Sequence, residues 1–336
     1  MVTLTRMPDG GVTITPAPKS PTFYLDYCVI ADLAATATGE RLRERICQQG
    51  TLYLSWAHFI ELFSLGLGPT FDRVSAYLKS FGAHFIVIDA DANAVIKRER
   101  EWTPQRQNPA IDGEWLALIA AKWLERNEVS IGILLDYFAG EASLIEHIKA
   151  LHTRHKENLK ALFDAQRQRY RTDKAAKKQL DQIQYQYEKP FVTSKVNLEL
   201  ARECIRSNEQ FNLSDGLDFH HTVVSISYCD FVVLDKKWAR RCKSLNLPKP
   251  ETATFLMAQR WRRFSPHWGA EHERRKPRGR PPFNLRSLCP LRTSNLSRSR
   301  YTGLVTLAPG LRDGIIRLSD RAPHLVWIAT LFVLSG

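Results

Sequence analysis

The sequence predicts an α/β domain built on a mainly parallel central sheet. Two observations carry this. Four short apolar runs with strand character recur along the chain, and helical patterns separate them. Strands that alternate with helices are joined by crossovers, which is how a parallel sheet is wound.

The first run lies in FYLDYCVIADLA, where Tyr24, Leu25, Val29 and Ile30 flank Asp26. A short run this apolar suits a strand covered on both faces. The second is TLYLS (51–55), and Ser55 is placed to cap the helix WAHFIELFSLG that follows. That helix should end near Gly66 and Gly68. The third run is HFIVIDA (84–90) and the fourth is DFVVLD (230–235).

Residues 92–210 interrupt the rhythm with the Trp-rich helical pattern IDGEWLALIAAKWLERN and then a long helical reach free of Gly and Pro from 141 to 189. Leu159, Leu162, Leu180, Ile183 and Tyr187 keep helical spacing, so a helical hairpin inserted in the α/β domain is expected. Within QRQRYRTDKAAKKQ (166–179) the stripe fades, and a turn or a solvated helix fits equally. Residues 1–20 are polar, carry Pro16 and Pro18, and read as an irregular leader. The α/β domain is expected over 21–250, with its insertion at 92–210, and 251–270 reads as a last strand or helix. The tail 271–336 opens on RRKPRGRPP and is expected to be disordered.

The chain has 336 residues and a net charge of +13, which favours an anionic partner. Much of that excess sits in the Arg-rich tail rather than in the domain before it. The six cysteines form no CxxC pair and no zinc-spaced cluster, and Cys28 and Cys229 read as small buried hydrophobes. The start MVTLTRMPDG lacks a signal-peptide core, and the apolar run Ala322–Leu334 falls short of the roughly 20 residues that cross a bilayer. The chain is therefore read as cytoplasmic, with reduced thiols and no membrane partner.

Four carboxylates stand where a parallel sheet usually places its working groups. Asp26 lies toward the end of the first strand, Glu61 on the helix after the second, Asp218 at the head of DFHHTVVSISYCDFVVL, and Asp235 at the end of the fourth strand. Open α/β sheets bind ligands beyond the carboxyl ends of their strands. Crowded carboxylates resist ionisation, and a hard divalent cation relieves that repulsion. Mg²⁺ or Mn²⁺ held there can polarise a phosphodiester and activate water, so no side-chain nucleophile is needed.

These segments resemble PIN-domain proteins. FYLDYCVIADL is similar to their opening strand, LYLSWAHFIELF to their second strand and helix, and SDGLDFHHTVVSISYCDFVVLDKKW to their closing module. The resemblance implies a three-layer α/β fold with Asp26, Glu61, Asp218 and Asp235 as the acidic, metal-holding set. Asp215, three residues before Asp218, is a further candidate on the same helix. It implies metal-dependent hydrolysis of RNA, leaving a 5′-phosphate and a 3′-hydroxyl, in an RNA-processing enzyme or a toxin with an antitoxin partner. Single-stranded RNA is the expected substrate, and a homodimer is a further partner expectation. The chain departs from the family where Tyr27 and Cys28 follow Asp26 and Leu234 precedes Asp235. That leaves a PIN-like module that binds RNA or protein without cutting as the alternative.

Other polar residues have plainer readings. Asp230 is expected in a turn, and Asp89 and Asp91 are only substitutes for a missing ligand. His58, His220 and His221 read as hydrogen-bonding core or surface residues. The insertion interleaves Tyr170, Tyr185 and Tyr187 with basic side chains, which fits RNA contact or a solvated helical face. A helical scaffold that pairs with another chain through this segment is a third reading.

Overall fold

The computed structural model describes residues 2–6, 12–64, 66, 68–102, 108–126, 129–183, 191–245, 247 and 254–257. In chain order these form β1 (Val2–Arg6), β2 (Val12–Pro16), β3 (Thr22–Leu25), α1 (Tyr27–Leu33), α2 (Ala37–Gln49), β4 (Thr51–Leu54), α3 (Trp56–Ser64), α4 (Pro69–Lys79) and β5 (Phe85–Val87). Then come α5 (Ala92–Arg100), α6 (Gly113–Arg126), α7 (Ile131–Gly140), α8 (Ala142–Thr172), α9 (Lys174–Gln182), α10 (Thr193–Arg206), α11 (Asp215–Tyr228), β6 (Phe231–Leu234), α12 (Lys236–Ser244) and β7 (Thr254–Met257). The tail 271–336, Tyr185 and Tyr187 lie outside the described residues.

Five strands make one parallel sheet in the order β5-β4-β3-β6-β7, flanked by helices. Every residue of β3, β4, β5 and β6 is buried, as their apolar sequences require of strands covered on both faces. The chain runs outward from β3 through β4 to β5, then returns to the other side of β3 with β6 and β7. Right-handed crossovers in opposite directions put their helices on opposite faces of the sheet. The order therefore reverses between β3 and β6, the position at which such sheets open a crevice at their carboxyl ends.

Register across that reversal is set by apolar and polar pairs together. Phe23 lies opposite Phe231, and their rings stack with centroids 5.3 Å apart. One residue outside the strands, Asp230 Oδ2 accepts from both the amide (2.8 Å) and the hydroxyl (3.0 Å) of Thr22. Asp230 is thus a turn residue that locks β6 beside β3.

Three expectations need correction. Residues 1–20 are not irregular throughout: β1 and β2 pair antiparallel, Val2 against Pro16. In β1 the apolar Val2 and Leu4 alternate with the exposed Thr3 and Thr5, the period of a half-covered strand. FYLDYCVIADLA is not one strand, because β3 ends at Leu25 and α1 begins at Tyr27. Asp26 accepts from the Tyr27 amide and starts that helix, so the carboxylate that breaks the apolar run also ends the strand. Cys28 consequently falls on the outer side of α1 and is exposed, whereas Cys229 is buried. Of the two options for 251–270, the described part is a strand, β7.

The helices of 92–210 pack directly on the sheet domain. α8 contacts α3, α10 and α11, and α5 contacts α10 and α11. Asp173 turns the chain between α8 and α9, accepting from the amides of Ala175 and Ala176. Gly216 lets α8 come close to the start of α11: a Cβ there would lie 3.2 Å from the Leu159 side chain. Among the described residues no helix is long and apolar enough to cross a membrane.

The turn between α1 and α2 is tighter still. Thr36 caps α2 by accepting from the Gly39 amide at 3.1 Å, and Tyr77 donates to the Gly39 carbonyl at 3.0 Å. A Cβ on Gly39 would stand 2.0 Å from the Leu33 carbonyl oxygen, which is backbone and cannot swing aside. Gly39→Ala is expected to cost about 2–4 kcal/mol, read as a lower urea midpoint at unchanged slope.

Candidate metal centre

The reversal of strand order brings the ends of β3 and β6 side by side. Asp26 follows β3 and Asp235 follows β6. The Asp26 amide donates to the Val233 carbonyl at 2.9 Å, and the Asp235 amide donates to Asp26 Oδ2 at 3.3 Å. Each aspartate also caps a helix: Asp26 Oδ1 accepts from Tyr27 N at 2.8 Å, and Asp235 Oδ1 from Trp238 N at 2.7 Å. The caps fix both carboxylates, and the positive ends of α1 and α12 favour their charge.

Asp218 reaches the same place from α11, one turn in from the helix start. Its Oδ2 accepts from the Trp238 indole at 3.0 Å, and its Oδ1 lies 3.3 Å from His221 Nε2. Asp26, Asp218 and His221 each offer a ligand atom, and these atoms lie within 4.8 Å of one another. Ligands on opposite sides of one Mg²⁺ stand about 4.2 Å apart, twice its bond length, so a small inward closure brings this trio onto one ion.

The electrostatics mark the same cluster. Asp26 is only 7% exposed, and burial raises its carboxyl above the usual range. The charge of His221 opposes that rise, whereas Asp218 and Asp235 add to it. Burial likewise raises Asp235, with Asp218 again adding to the effect. Glu61 on α3 is pushed up to about 8, first by burial and then by the charges of Asp26 and Asp218, against His221 and Lys156. Burial alone would push His221 down, but its bond to Asp218 and the charges of Asp26, Asp218 and Glu61 carry it above its usual value. Buried carboxylates whose ionisation is opposed by burial and by one another form a cluster short of positive charge.

The sequence candidates therefore divide. Asp26 and Asp218 meet in the ligand trio, and Glu61 and Asp235 lie within electrostatic reach of it. Asp215 does not join them. Both its oxygens bond Lys237 Nζ at 2.6 Å, and Oδ2 also accepts from Asn212 N at 2.7 Å. It is a buried ion pair that holds Lys237 near Asp235. Asp89 pairs with Arg98, and Asp91 caps α5, so neither substitutes for a ligand. Glu99 shows what a structural buried acid looks like here: Thr193 and Tyr228 hydroxyls both donate to one of its oxygens.

His221, read from the sequence as a hydrogen-bonding core or surface residue, is buried and hydrogen-bonded, and it also joins the trio that could hold an ion. A signal was available, since Asp218 and His221 are three apart and share a helix face. Behind it runs a buried chain. His221 Nδ1 is 2.8 Å from the Tyr24 hydroxyl, which is 3.3 Å from Ser55 Oγ, which is 3.2 Å from His58 Nδ1. The Ser55 amide can only donate, and it reaches His58 Nδ1 at 3.0 Å, so that nitrogen accepts. The His58 proton is then on Nε2, donated to the Leu25 carbonyl at 2.8 Å. Burial lowers His58 to about 4, which keeps it neutral. Ser55, expected as a helix cap, thus serves this chain.

No family model matches the sequence, and neither a curated protein nor a solved structure matches it.

Proposed function

We propose that this chain is a metal-dependent ribonuclease with a PIN-like three-layer fold. The observation that carries the reading is the meeting of Asp26 and Asp218, from elements far apart in sequence, at the point where strand order reverses. A carboxylate-rich cluster of this kind suits a hard divalent cation such as Mg²⁺ or Mn²⁺. The bound ion would supply Lewis acidity and a water acidified for attack on phosphorus.

The residues divide the remaining work. Asp26 and Asp218 hold the ion, with Asp235 beside them. Glu61, pushed up to about 8, is suited to hold or accept a proton at neutral pH. Lys237, held by Asp215, and Lys156, within charge reach of Glu61, put cations at the edge of an acidic site. Such cations offset the charge of an approaching phosphate. The basic side chains along α8 and α9 and the net charge of +13 support RNA as the polyanion. By the family resemblance, water would attack phosphorus with the 3′-oxygen as the leaving group, giving a 5′-phosphate and a 3′-hydroxyl, and an RNA-processing or toxin role, with an antitoxin in the second case, fits that chemistry.

The test uses the full chain and an end-labelled single-stranded RNA. Cleavage should require Mn²⁺ or Mg²⁺ and stop with EDTA. Asp218→Asn should reduce it by more than about 100-fold, because loss of a mere supporting partner already costs roughly 10–100-fold. Undiminished cleavage by Asp218→Asn would sink the assignment; RNA binding without cleavage in the wild type would make the chain a non-cutting PIN-like module.

A further inference from the structure

We infer that His221 is a direct nitrogen ligand of the bound ion, which makes the centre a mixed nitrogen–oxygen site selective for Mn²⁺ over Mg²⁺. The inference rests on the metal-centre reading above and deepens it. Two neighbouring ligand atoms at right angles around an ion, each roughly 2.1–2.2 Å from it, stand about 3 Å apart. His221 Nε2 and Asp218 Oδ1 are 3.3 Å apart, and Asp26 offers an oxygen to the same trio. The imidazole already stands at a coordination position.

Its other nitrogen is tied as a ligand's should be. Metal-binding histidines almost always commit the second ring nitrogen to a hydrogen bond, which fixes ring orientation and raises basicity. His221 Nδ1 meets the Tyr24 hydroxyl at 2.8 Å, and the two rings stack at 5.6 Å. Tyr24 is fully buried in β3, and the chain through Ser55 and His58 ends on the carbonyl of Leu25, the residue before Asp26. The support behind the nitrogen is thus built on the strand that positions the carboxylate.

The consequence is selectivity. Mg²⁺ prefers oxygen and water and gains little from imidazole, whereas Mn²⁺ accepts nitrogen more readily, and later first-row ions more so again. A carboxylate-only centre would show a smaller bias.

The experiment loads the full-length, metal-stripped protein with one equivalent of Mn²⁺ and measures pulsed electron paramagnetic resonance. A ¹⁴N coupling is expected, replaced by a ¹⁵N coupling when the protein is grown on ¹⁵N-histidine, lost in His221→Gln and kept in His220→Gln. Mn²⁺ affinity should fall at least about tenfold in His221→Gln, with a smaller change for Mg²⁺. The labelling arm needs no substitution, so it decides the matter even if His221→Gln fails to fold. Bound Mn²⁺ without histidine nitrogen coupling overturns the ligand and leaves the carboxylate nuclease standing. Failure to bind Mn²⁺ overturns both.

Discussion

Asp26→Asn is expected to abolish metal-dependent RNA cleavage and, in the same protein, to raise the stability of the metal-free fold. The loss should exceed about 100-fold, since the substitution removes a charged ligand rather than a supporting partner. The gain comes from the same chemistry. Burial and the charges of Asp218 and Asp235 all penalise ionised Asp26. A neutral amide relieves that penalty and still accepts from Tyr27 N through its oxygen. The offsetting cost is the loss of the weak contacts to Asp26 Oδ2, from Asp235 N at 3.3 Å and Cys28 Sγ at 3.4 Å, and of the attraction to His221. A net gain of about 1 kcal/mol is expected, the usual scale for removing a strained functional group. Urea denaturation in EDTA measures it. Adding Mn²⁺ should then stabilise the wild type and leave the variant unmoved, because only a protein that binds the ion gains from its presence. A purely structural aspartate would give the opposite result, with stability falling and no difference in response to Mn²⁺.

How much of this was readable from sequence follows from the range over which each feature acts. The strands β3, β4, β5 and β6 were readable because burial on both faces leaves an unbroken apolar run in the sequence itself. Asp26, Glu61, Asp218 and Asp235 were readable as candidates because a charge beside such a run is costly unless something pairs with it. What separates Asp218 from Asp215 is not local. The two share a helix face, and only the position of Lys237 on α12 decides that Asp215 is consumed in an ion pair. The β1–β2 pairing escaped because five-residue strands interrupted by polar residues carry a weak signal, and their partner is specified by register rather than composition. His221 escaped for a related reason. Its Asp-x-x-His spacing is equally at home on a solvated helix, and its distinction lies in Tyr24, 197 residues away in the chain.

Metal binding should be strongly pH-dependent, and Glu61 sets where the dependence ends. The ion needs deprotonated ligands, so each proton displaced on binding makes the apparent affinity rise tenfold per pH unit below that group's pKa. Glu61 is pushed up to about 8, and Asp26, Asp235 and His221 are also raised. Between pH 6 and 8 the Mn²⁺ dissociation constant is therefore expected to fall about 50-fold through Glu61, with the other raised groups adding to the fall. Calorimetry in buffers of different ionisation enthalpy should count at least one proton released at pH 7, and Glu61→Gln should lower that count by about one. The sign for the metal-free protein is the reverse. Glu61 and His221 keep their protons in the folded state at pH values where the unfolded chain has lost them. Their contribution is complete below the unfolded pKa values and is lost as pH rises through the raised folded ones. From pH 6.5 to 8 folded Glu61, pushed up to about 8, keeps a proton that the unfolded chain has lost, so stability in EDTA falls by about 1 kcal/mol per pH unit on its account, and the raised His221 acts in the same direction. With saturating Mn²⁺ those protons are already gone, and the fall should vanish. Parallel pH profiles with and without the ion would show that Glu61 answers to bulk solvent rather than to the metal centre.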